Sequence, residues 1–342
     1  MYRVIFSFKC GGLMKYHYVI EKIKQASIQH APFAHIEIDD LFDPADFQEI
    51  TSSPDIQIDA ANDDAALFKS LFDRNYRIID FPGCVSDYKK YIDWHKHKDA
   101  SHLTNTSCEG YGVVLRLTDQ VSGPIKELSN FLYSPEFIRC IAEKFGVDHD
   151  ACKYDAGIQK YLDGYEISPH PDIRRKALTF MVNINPNPES EAEDHHTHYM
   201  QFIPDRSYIR EFWAGNPKRV DTCWVPWNWC ETLKQQTKNN SIVIFSPNSE
   251  TLHGVKANYN HLTFQRTQLY GNLWHQDLQC DMQPQWEDLD LIHFAKSTQK
   301  TNPLFSFIKD HTPGPLREVA RTAARSLRSR SGSAGTHTNR TY

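Results

Sequence analysis

Two histidines and one aspartate of this sequence have the residue types and the spacing of a metal-binding group. His170 and Asp172 form a His-x-Asp pair, and His253 follows further along the chain. Residues two apart on a β-strand point to the same face, so this histidine and this carboxylate could bind one metal ion together. A second histidine from a neighbouring strand completes the facial triad that holds non-haem iron(II) and leaves coordination positions open. We therefore predict a metal site formed by His170, Asp172 and His253.

The surroundings of this pair distinguish it from two other copies of the same pattern. The other copies are His97/Asp99 and His275/Asp277. The segment around His97 has no strand character, and no suitable histidine follows His275. The pair at His170 instead lies between the strand-like runs AGIQKYL and KALTFMVNI, and the run SIVIFSPNSETLHGV predicts a strand and a turn before His253. The metal prediction therefore rests on three segments of the chain.

An arginine after the last histidine could bind the far end of an acidic cosubstrate. A cosubstrate that chelates the metal at one end needs a cation for its distal carboxylate, and arginine offers a planar, bidentate fork. Arg266 lies in a strand-like run and is our first candidate for this cation. Thr263 and Gln268 flank it and could add hydrogen bonds to the ligand. Tyr161, on the strand that leads to His170, could donate its phenol to the same ligand. Lys256 is our second candidate for the cation.

Taken together, these motifs resemble the iron(II)/2-oxoglutarate-dependent oxygenases of the double-stranded β-helix fold, in a prolyl-hydroxylase-like arrangement. The motifs that carry the resemblance are Gln159-x-Tyr161-x-x-Gly164, His170-Pro171-Asp172, the run from Ile242 to His253-Gly254-Val255, Arg266, and the N-terminal run PFAHIEIDDLF. The resemblance covers residues 32–50 and 155–275. It implies iron(II) as cofactor, 2-oxoglutarate as cosubstrate, and O2 as the oxidant.

The implied activity is hydroxylation of a substrate with release of succinate and CO2. Related halogenases lack the carboxylate of the triad, so the presence of Asp172 favours hydroxylation or another oxidation. The substrate would be a small molecule, a glycan or a peptide. Two alternatives remain open: a cupin-like metal-binding protein that does not use 2-oxoglutarate, in which Arg266 is structural, and a non-catalytic β-barrel recognition module.

Several basic residues near these motifs are further candidates for the site. The basic residues after the metal motif, Arg174, Arg175 and Lys176, could receive an anionic substrate or could form a solvated basic turn. His198 could face the active site from the start of a strand. The cluster His195-His196-x-His198 has the composition of a second metal site. Because it follows the polar run ESEAED, we interpret it as a solvated loop instead.

Hydrophobic patterning predicts an α+β protein with a barrel core. We predict a helical and strand-containing region at 1–151, a double-stranded β-helix (jelly-roll, cupin-like) core at 152–275, a helical extension at 276–312 and a flexible basic tail at 313–342. The run SPEFIRCIAEKFG has a capping serine, a first-turn proline and a terminal glycine, which predict a helix at 134–146. The predicted core strands are AGIQKYL, ALTFMVNI, HYMQFI, TCWVPW, SIVIFS and HLTFQRTQLYGNLW, with long loops at 186–198 and 204–222.

Charge and cysteine content restrict the partners and the compartment that we expect. The net charge of −5 argues against nucleic-acid binding by the whole chain. The arginine-rich run PLREVARTAARSLRSR in the tail could make weak contact with an anionic surface. The 8 cysteines form no Cys-x-x-Cys pair, and no run approaches the ~20 apolar residues of a membrane span. We therefore expect a cytoplasmic protein with reduced thiols.

Overall fold

The computed structural model describes residues 15–81, 84–98, 111–215 and 224–276. These residues all belong to one compact unit, Met1–Ile292. The predicted helical extension beyond Gln276 and the predicted basic tail lie outside the described residues. No helix in the described ranges has both the length and the apolar character that a membrane crossing requires.

Seven α-helices are found among the described residues, most of them before the main strands. They are α1 (His17–Gln25), α2 (Pro44–Thr51), α3 (Asp64–Asp73), α4 (Tyr88–His97), α5 (Gly123–Leu132), α6 (Pro135–Lys144) and α7 (Tyr208–Gly215). The predicted helix at 134–146 is confirmed as α6. The hydroxyl of Ser134 accepts a hydrogen bond from the Phe137 N–H at 3.2 Å, which satisfies one of the free donors at the helix start. Gly146 follows the helix end at φ +65°, a conformation that glycine adopts at no steric cost.

Eleven strands in the described part of the chain form two antiparallel sheets. The strands are β1 (Ile36–Ile38), β2 (Tyr76–Ile78), β3 (Val114–Leu117), β4 (Cys152–Tyr161), β5 (Glu166–His170), β6 (Lys176–Asn183), β7 (Thr197–Phe202), β8 (Cys230–Gln236), β9 (Ile242–Phe245), β10 (His253–Lys256) and β11 (Arg266–His275). One sheet has the order β1-β9-β6-β11-β4-β3-β2, and the other has the order β5-β10-β7-β8. The chain is therefore a mixed α/β fold with antiparallel sheets, which confirms the coarser part of the predicted fold class.

Strand β6 of the seven-stranded sheet is covered on both faces, and this explains why it contains polar as well as apolar residues yet is fully buried. Every residue of β6 is buried. Leu178 and Phe180 belong to the core beneath the helices, and the Phe180 ring lies 5.7 Å from that of Phe137 in α6. The alternate residues Thr179 and Met181 point to the opposite face, as the two-residue period of a strand requires. That opposite face is one wall of a cavity, and the four-stranded sheet supplies the other wall.

Two parts of the predicted secondary structure are wrong. The run TCWVPW does not form a strand in its described part. Its last residue instead begins the short 3-10 helix Trp227–Trp229, and strand β8 follows. The sequence of β8, CETLKQQ, is polar because the strand lies at a sheet edge with most of its side chains in solvent. The predicted loop at 204–222 contains α7, which buries Ile209, Phe212 and Trp213.

Candidate metal centre

The three predicted metal ligands meet at one end of the cavity. His170 is the last residue of β5 and His253 is the first of β10, and the two are direct partners across the strand pair. Their ring centroids are 4.4 Å apart. Asp172 follows just beyond β5 at φ +73°, a left-handed conformation that aspartate tolerates better than most residues. One ligand atom from each residue lies within 4.8 Å of the others, and all three residues are buried.

Backbone carbonyl groups hold both histidine rings in the form that binds a metal. Nδ1 of His170 donates to the Ser168 carbonyl oxygen at 2.8 Å, and Nδ1 of His253 donates to the Thr251 carbonyl oxygen at 2.8 Å. A proton on Nδ1 leaves the lone pair on Nε2, the nitrogen available to the metal. Burial lowers the pKa of His170 to about 3 and also lowers the pKa of His253, so both rings are neutral at physiological pH. The two imidazoles are therefore oriented and uncharged before any metal binds.

The third ligand, Asp172, is held by Lys176 and by Thr179, of which the sequence analysis singled out only Lys176. Lys176 Nζ donates to Asp172 Oδ1 at 2.5 Å, and Thr179 Oγ1 donates to Oδ2 at 2.9 Å. Lys176 Nζ also donates to the Tyr270 hydroxyl at 2.7 Å. Burial alone would raise the pKa of Asp172, but the Lys176 ammonium holds it well below its ordinary value. The alternative of a solvated basic turn is wrong for Lys176, because the structure buries this residue and places its ammonium on the Asp172 carboxylate.

Arg266 lies in the same cavity and has an unused hydrogen-bond donor. It begins β11, opposite Tyr161 on β4, and its guanidinium carbon lies 4.5 Å from the centroid of the Tyr161 ring. Nη2 donates to Thr197 Oγ1 at 3.0 Å, whereas the buried Nη1 has no hydrogen-bond partner among the described residues. An unpaired buried N–H group is costly, and an acidic ligand in the cavity would satisfy it.

The cavity between the two sheets is small and mainly apolar, with several aromatic residues in its lining. Its volume is about 140 Å³, close to the ~150 Å³ of an engineered cavity that binds benzene. Tyr161 and Gln268 line it as predicted, although the Tyr161 hydroxyl donates to Gln159 Oε1 at 2.5 Å and Gln268 Nε2 donates to Asn183 Oδ1 at 3.2 Å. The aromatic residues around the metal ligands are Phe81, Tyr165, Trp224, Tyr270 and Trp274.

Three predicted site residues lie elsewhere. Thr263 is exposed in the turn before β11, where its hydroxyl donates to the Asn260 carbonyl oxygen at 2.8 Å. Arg174 stacks on Trp213, with its guanidinium carbon 3.8 Å from the ring centroid, and does not line the cavity. His198 is bonded to Thr232 Oγ1 at 2.9 Å on the outer face of β7, because its neighbour Thr197 takes the inward position. The structure therefore does not bring these three residues together with the metal group in the cavity.

Two further sequence interpretations are also corrected. His195 and His196 are buried, so the interpretation of this cluster as a solvated loop is wrong. His195 packs against the ring of Tyr259 with the centroids 4.7 Å apart. Lys256, the second candidate for the cosubstrate cation, has 62% of its side chain exposed and lies 3.8 Å from Glu166 Oε2, outside the cavity.

A second group of histidine and aspartate residues lies away from this cavity. Asp64 accepts hydrogen bonds from His95 Nδ1 and His261 Nε2, each at 2.8 Å, and His95 Nε2 lies 3.4 Å from Asp163 Oδ2. Burial lowers the pKa of His95, but the two carboxylates outweigh it and raise the pKa to about 9. The protonated His95 therefore connects α3 and α4 to the β4–β5 turn as part of an ion-pair network.

Comparison with known proteins gives structural likeness only. No family model and no curated protein matches the sequence. Similar solved structures include a prolyl-4-hydroxylase from Pseudomonas putida, with 8% identity over 77% of this chain and 100% of that chain at a TM-score of 0.38. A prolyl hydroxylase from Trichoplax adhaerens, in complex with a hypoxia inducible factor peptide fragment, has 11% identity over 76% of this chain and 89% of that chain at a TM-score of 0.37.

A third similar structure contains ligands in its own site. HygX from Streptomyces hygroscopicus, with nickel, 2-oxoglutarate and hygromycin B bound, has 8% identity over 80% of this chain and 94% of that chain at a TM-score of 0.34. Another similar structure is described as a 2-oxoglutarate–iron(II) oxygenase from Burkholderia pseudomallei. These proteins are of the kind that the sequence motifs resemble. The identities and TM-scores are too low to transfer a residue role or a substrate to this chain.

Proposed function

We propose that this chain is an iron(II)- and 2-oxoglutarate-dependent oxygenase whose two sheets form a double-stranded β-helix. The observation that supports this proposal is a single cavity that contains both a buried group of two histidines and one carboxylate and a buried guanidinium with an unused N–H. The first feature suits a divalent metal, and the second suits a dicarboxylate that reaches from the metal to Arg266.

The donor atoms of the chain fit iron(II). Two neutral imidazoles and one ionised carboxylate are the ligand set of non-haem iron(II) sites, and the remaining positions stay open for small molecules. The buried Asp172 also needs a cation nearby, because an isolated buried carboxylate is strongly disfavoured. In the metal-free chain the Lys176 ammonium supplies that charge. We assign His170, Asp172 and His253 as the residues that hold the metal.

The chain binds and orients 2-oxoglutarate through the walls of the cavity. Arg266 binds the distal carboxylate with Nη1, while the bond from Nη2 to Thr197 holds the guanidinium in place. Tyr161 and Gln268 border the same region, and the aromatic residues limit the access of water. When bound, iron(II), 2-oxoglutarate and O2 supply an oxidative decarboxylation that hydroxylates the substrate and releases succinate and CO2. Asp172 occupies the position that a halogenase would leave for halide, so the proposed reaction is hydroxylation or another oxidation and not halogenation.

Formation of labelled succinate from labelled 2-oxoglutarate tests the proposal. Purified protein loaded with iron(II) should form succinate only when both iron and O2 are present. His170→Ala and His253→Ala should abolish succinate formation and metal binding, because two ligands hold iron(II) weakly. His198→Ala is the matched control, since this histidine lies on the neighbouring strand but faces outward.

The sequence leaves three functions open: an oxygenase, a cupin-like metalloprotein and a recognition module. Each gives a different result in this assay. Iron binding without 2-oxoglutarate turnover would indicate a cupin-like metalloprotein. No metal binding at all would indicate a recognition module. Full iron occupancy in the His170→Ala/His253→Ala double variant would refute the assignment of the ligands.

A further inference from the structure

The ammonium of Lys176 is hydrogen-bonded to the carboxylate oxygen of Asp172 that would bind the metal. Asp172 Oδ1 lies 3.9 Å from His170 Nε2, so this oxygen faces the metal position, whereas Oδ2 accepts from Thr179. Lys176 Nζ lies 2.5 Å from the same Oδ1. A divalent metal on Oδ1 would repel the ammonium at that distance. Loading of the metal therefore weakens the ion pair between Lys176 and Asp172 and leaves the ammonium at the cavity wall.

The charges of the cavity leave this ammonium without a partner once the site is loaded. The charged side chains that line the cavity, among the described residues, are one carboxylate, Asp172, and two cations, Lys176 and Arg266, which give a net charge of +1. Iron(II) and doubly ionised 2-oxoglutarate cancel each other. In the proposed arrangement the cosubstrate carboxylates are used by the metal and by Arg266. A buried cation requires an opposite charge, so the surplus belongs to Lys176.

The side chains around Lys176 indicate which part of a substrate could lie next to the negatively charged group. Its Nζ lies 5.4 Å from the centroid of Tyr270 and 5.6 Å from that of Trp274, and Tyr270 also accepts a hydrogen bond from it. Trp224 and Phe81 complete the aromatic surface beside the metal ligands. The cavity has room for one small ligand beside the metal, which is the cosubstrate in the proposed function, so a substrate would reach in with one group only while its body contacts these partly exposed rings.

We propose that Lys176 is a substrate-binding residue that receives an oxyanion, a carboxylate or a phosphate, of a substrate whose apolar part lies against Tyr270, Trp274 and Trp224. This inference rests on the proposed oxygenase function and adds the chemical class of the substrate. Lys176 positions the substrate, and its bond to Tyr270 keeps the ammonium directed at the cavity rather than at solvent.

Binding of matched probes to the loaded but inactive protein tests this assignment. The protein is loaded with zinc, which cannot support the oxidation, and is saturated with 2-oxoglutarate. Phenylacetate, phenylphosphonate and the neutral phenylacetamide are then titrated, with tryptophan fluorescence as the readout because Trp224 and Trp274 line the cavity. We expect the better of the two anions to bind about tenfold or more tightly than the amide, as a charge-assisted hydrogen bond requires.

Substitutions at Lys176 should remove the preference for anions in the zinc-loaded protein. In Lys176→Met and Lys176→Gln the anions and the amide should bind equally, while 2-oxoglutarate affinity should match the wild type. Two variants are used because Lys176→Met leaves Asp172 without a cation in the metal-free protein, and melting of each zinc-loaded variant checks its fold. Lys256→Met is the matched control, since this lysine is exposed on the neighbouring β10.

The outcomes separate this inference from the proposed function. Failure of the zinc-loaded wild type to bind 2-oxoglutarate contradicts the proposed function. Normal 2-oxoglutarate binding with equal affinity for phenylacetamide and the anions, or with no saturable anion binding at millimolar concentration, overturns only the role of Lys176. Loss of 2-oxoglutarate affinity in both Lys176 variants also overturns it, because Lys176 would then bind the cosubstrate. Tighter binding of phenylphosphonate indicates a phosphate group, and tighter binding of phenylacetate indicates a carboxylate.

Discussion

Replacement of Arg266 should remove the affinity that 2-oxoglutarate gains from its distal carboxylate. In the structure Nη2 of this arginine is already bonded to Thr197, so Nη1 is the donor available to the ligand. A hydrogen bond to a charged group contributes about 1.5–3 kcal/mol, which corresponds to roughly a ten- to hundredfold change in Kd. We expect that loss in Arg266→Met. Arg266→Lys should recover only part of it, because an ammonium cannot keep the bond to Thr197 and also bind the carboxylate as a planar fork.

A pair of ligands that differ only in the distal carboxylate isolates this interaction. Calorimetric titration of zinc-loaded protein with 2-oxoglutarate and with 2-oxobutanoate should show a large difference in Kd for the wild type. The difference should nearly vanish in Arg266→Met, while the Kd of 2-oxobutanoate stays constant. Arg210→Met, which alters an exposed arginine paired with Glu211, serves as the control. An unchanged difference between the two ligands in Arg266→Met would refute the assignment of Arg266.

Three further predictions concern two groups away from the cavity, Lys160 and His95, and one group beside a metal ligand, Thr179. Burial lowers the pKa of Lys160 to about 7. The unfolded state therefore binds more protons between pH 7 and about 10.4, and stability should rise across this window by up to about 4–5 kcal/mol. Urea unfolding of Lys160→Met should show a flatter pH profile. The pKa of His95, raised to about 9, has the opposite effect: its stabilisation is complete below about pH 6.5 and is lost as pH rises through 9. His95→Asn should remove that decline in the same measurement, and an unaltered profile would show that the ion-pair network does not titrate. Thr179→Val should weaken zinc binding by about ten- to a hundredfold, because the hydroxyl orients Asp172; equal zinc affinity would show that Lys176 alone positions this carboxylate.

The meeting of His170 and His253 could be predicted because residue type and strand pattern were both informative. Each histidine lies on a short strand of its own, His170 at the end of β5 and His253 at the start of β10, and the antiparallel pairing of these two strands brings the rings together. The shared face of His170 and Asp172 was predicted from the two-residue period of a strand. In the structure β5 ends at His170, and Asp172 reaches the site through a left-handed backbone instead.

The residues that the sequence analysis misplaced depend on register, which one sequence does not reveal. A shift of one residue along β7 exchanges the inward and outward faces, so Thr197 rather than His198 enters the cavity. Thr263 was assigned to a strand that begins only at Arg266. Lys176 and Trp274 are direct partners on β6 and β11, a pairing between segments far apart in the chain. Local patterning carries no information about which distant residues become neighbours across a sheet.

The bonds from the two histidine rings to their own backbone have a consequence for how the protein matures. Each Nδ1 is held by the carbonyl group two residues earlier in the same chain segment, Ser168 for His170 and Thr251 for His253. The direction of each donor atom is thus set when its local segment folds, and metal capture requires no rearrangement of the main chain. The conformational entropy of these two side chains is therefore lost when the chain folds and not when the metal binds. An apoprotein of this design would present both histidines ready for a metal, so that only the ion pair between Lys176 and Asp172 has to give way when the ion binds.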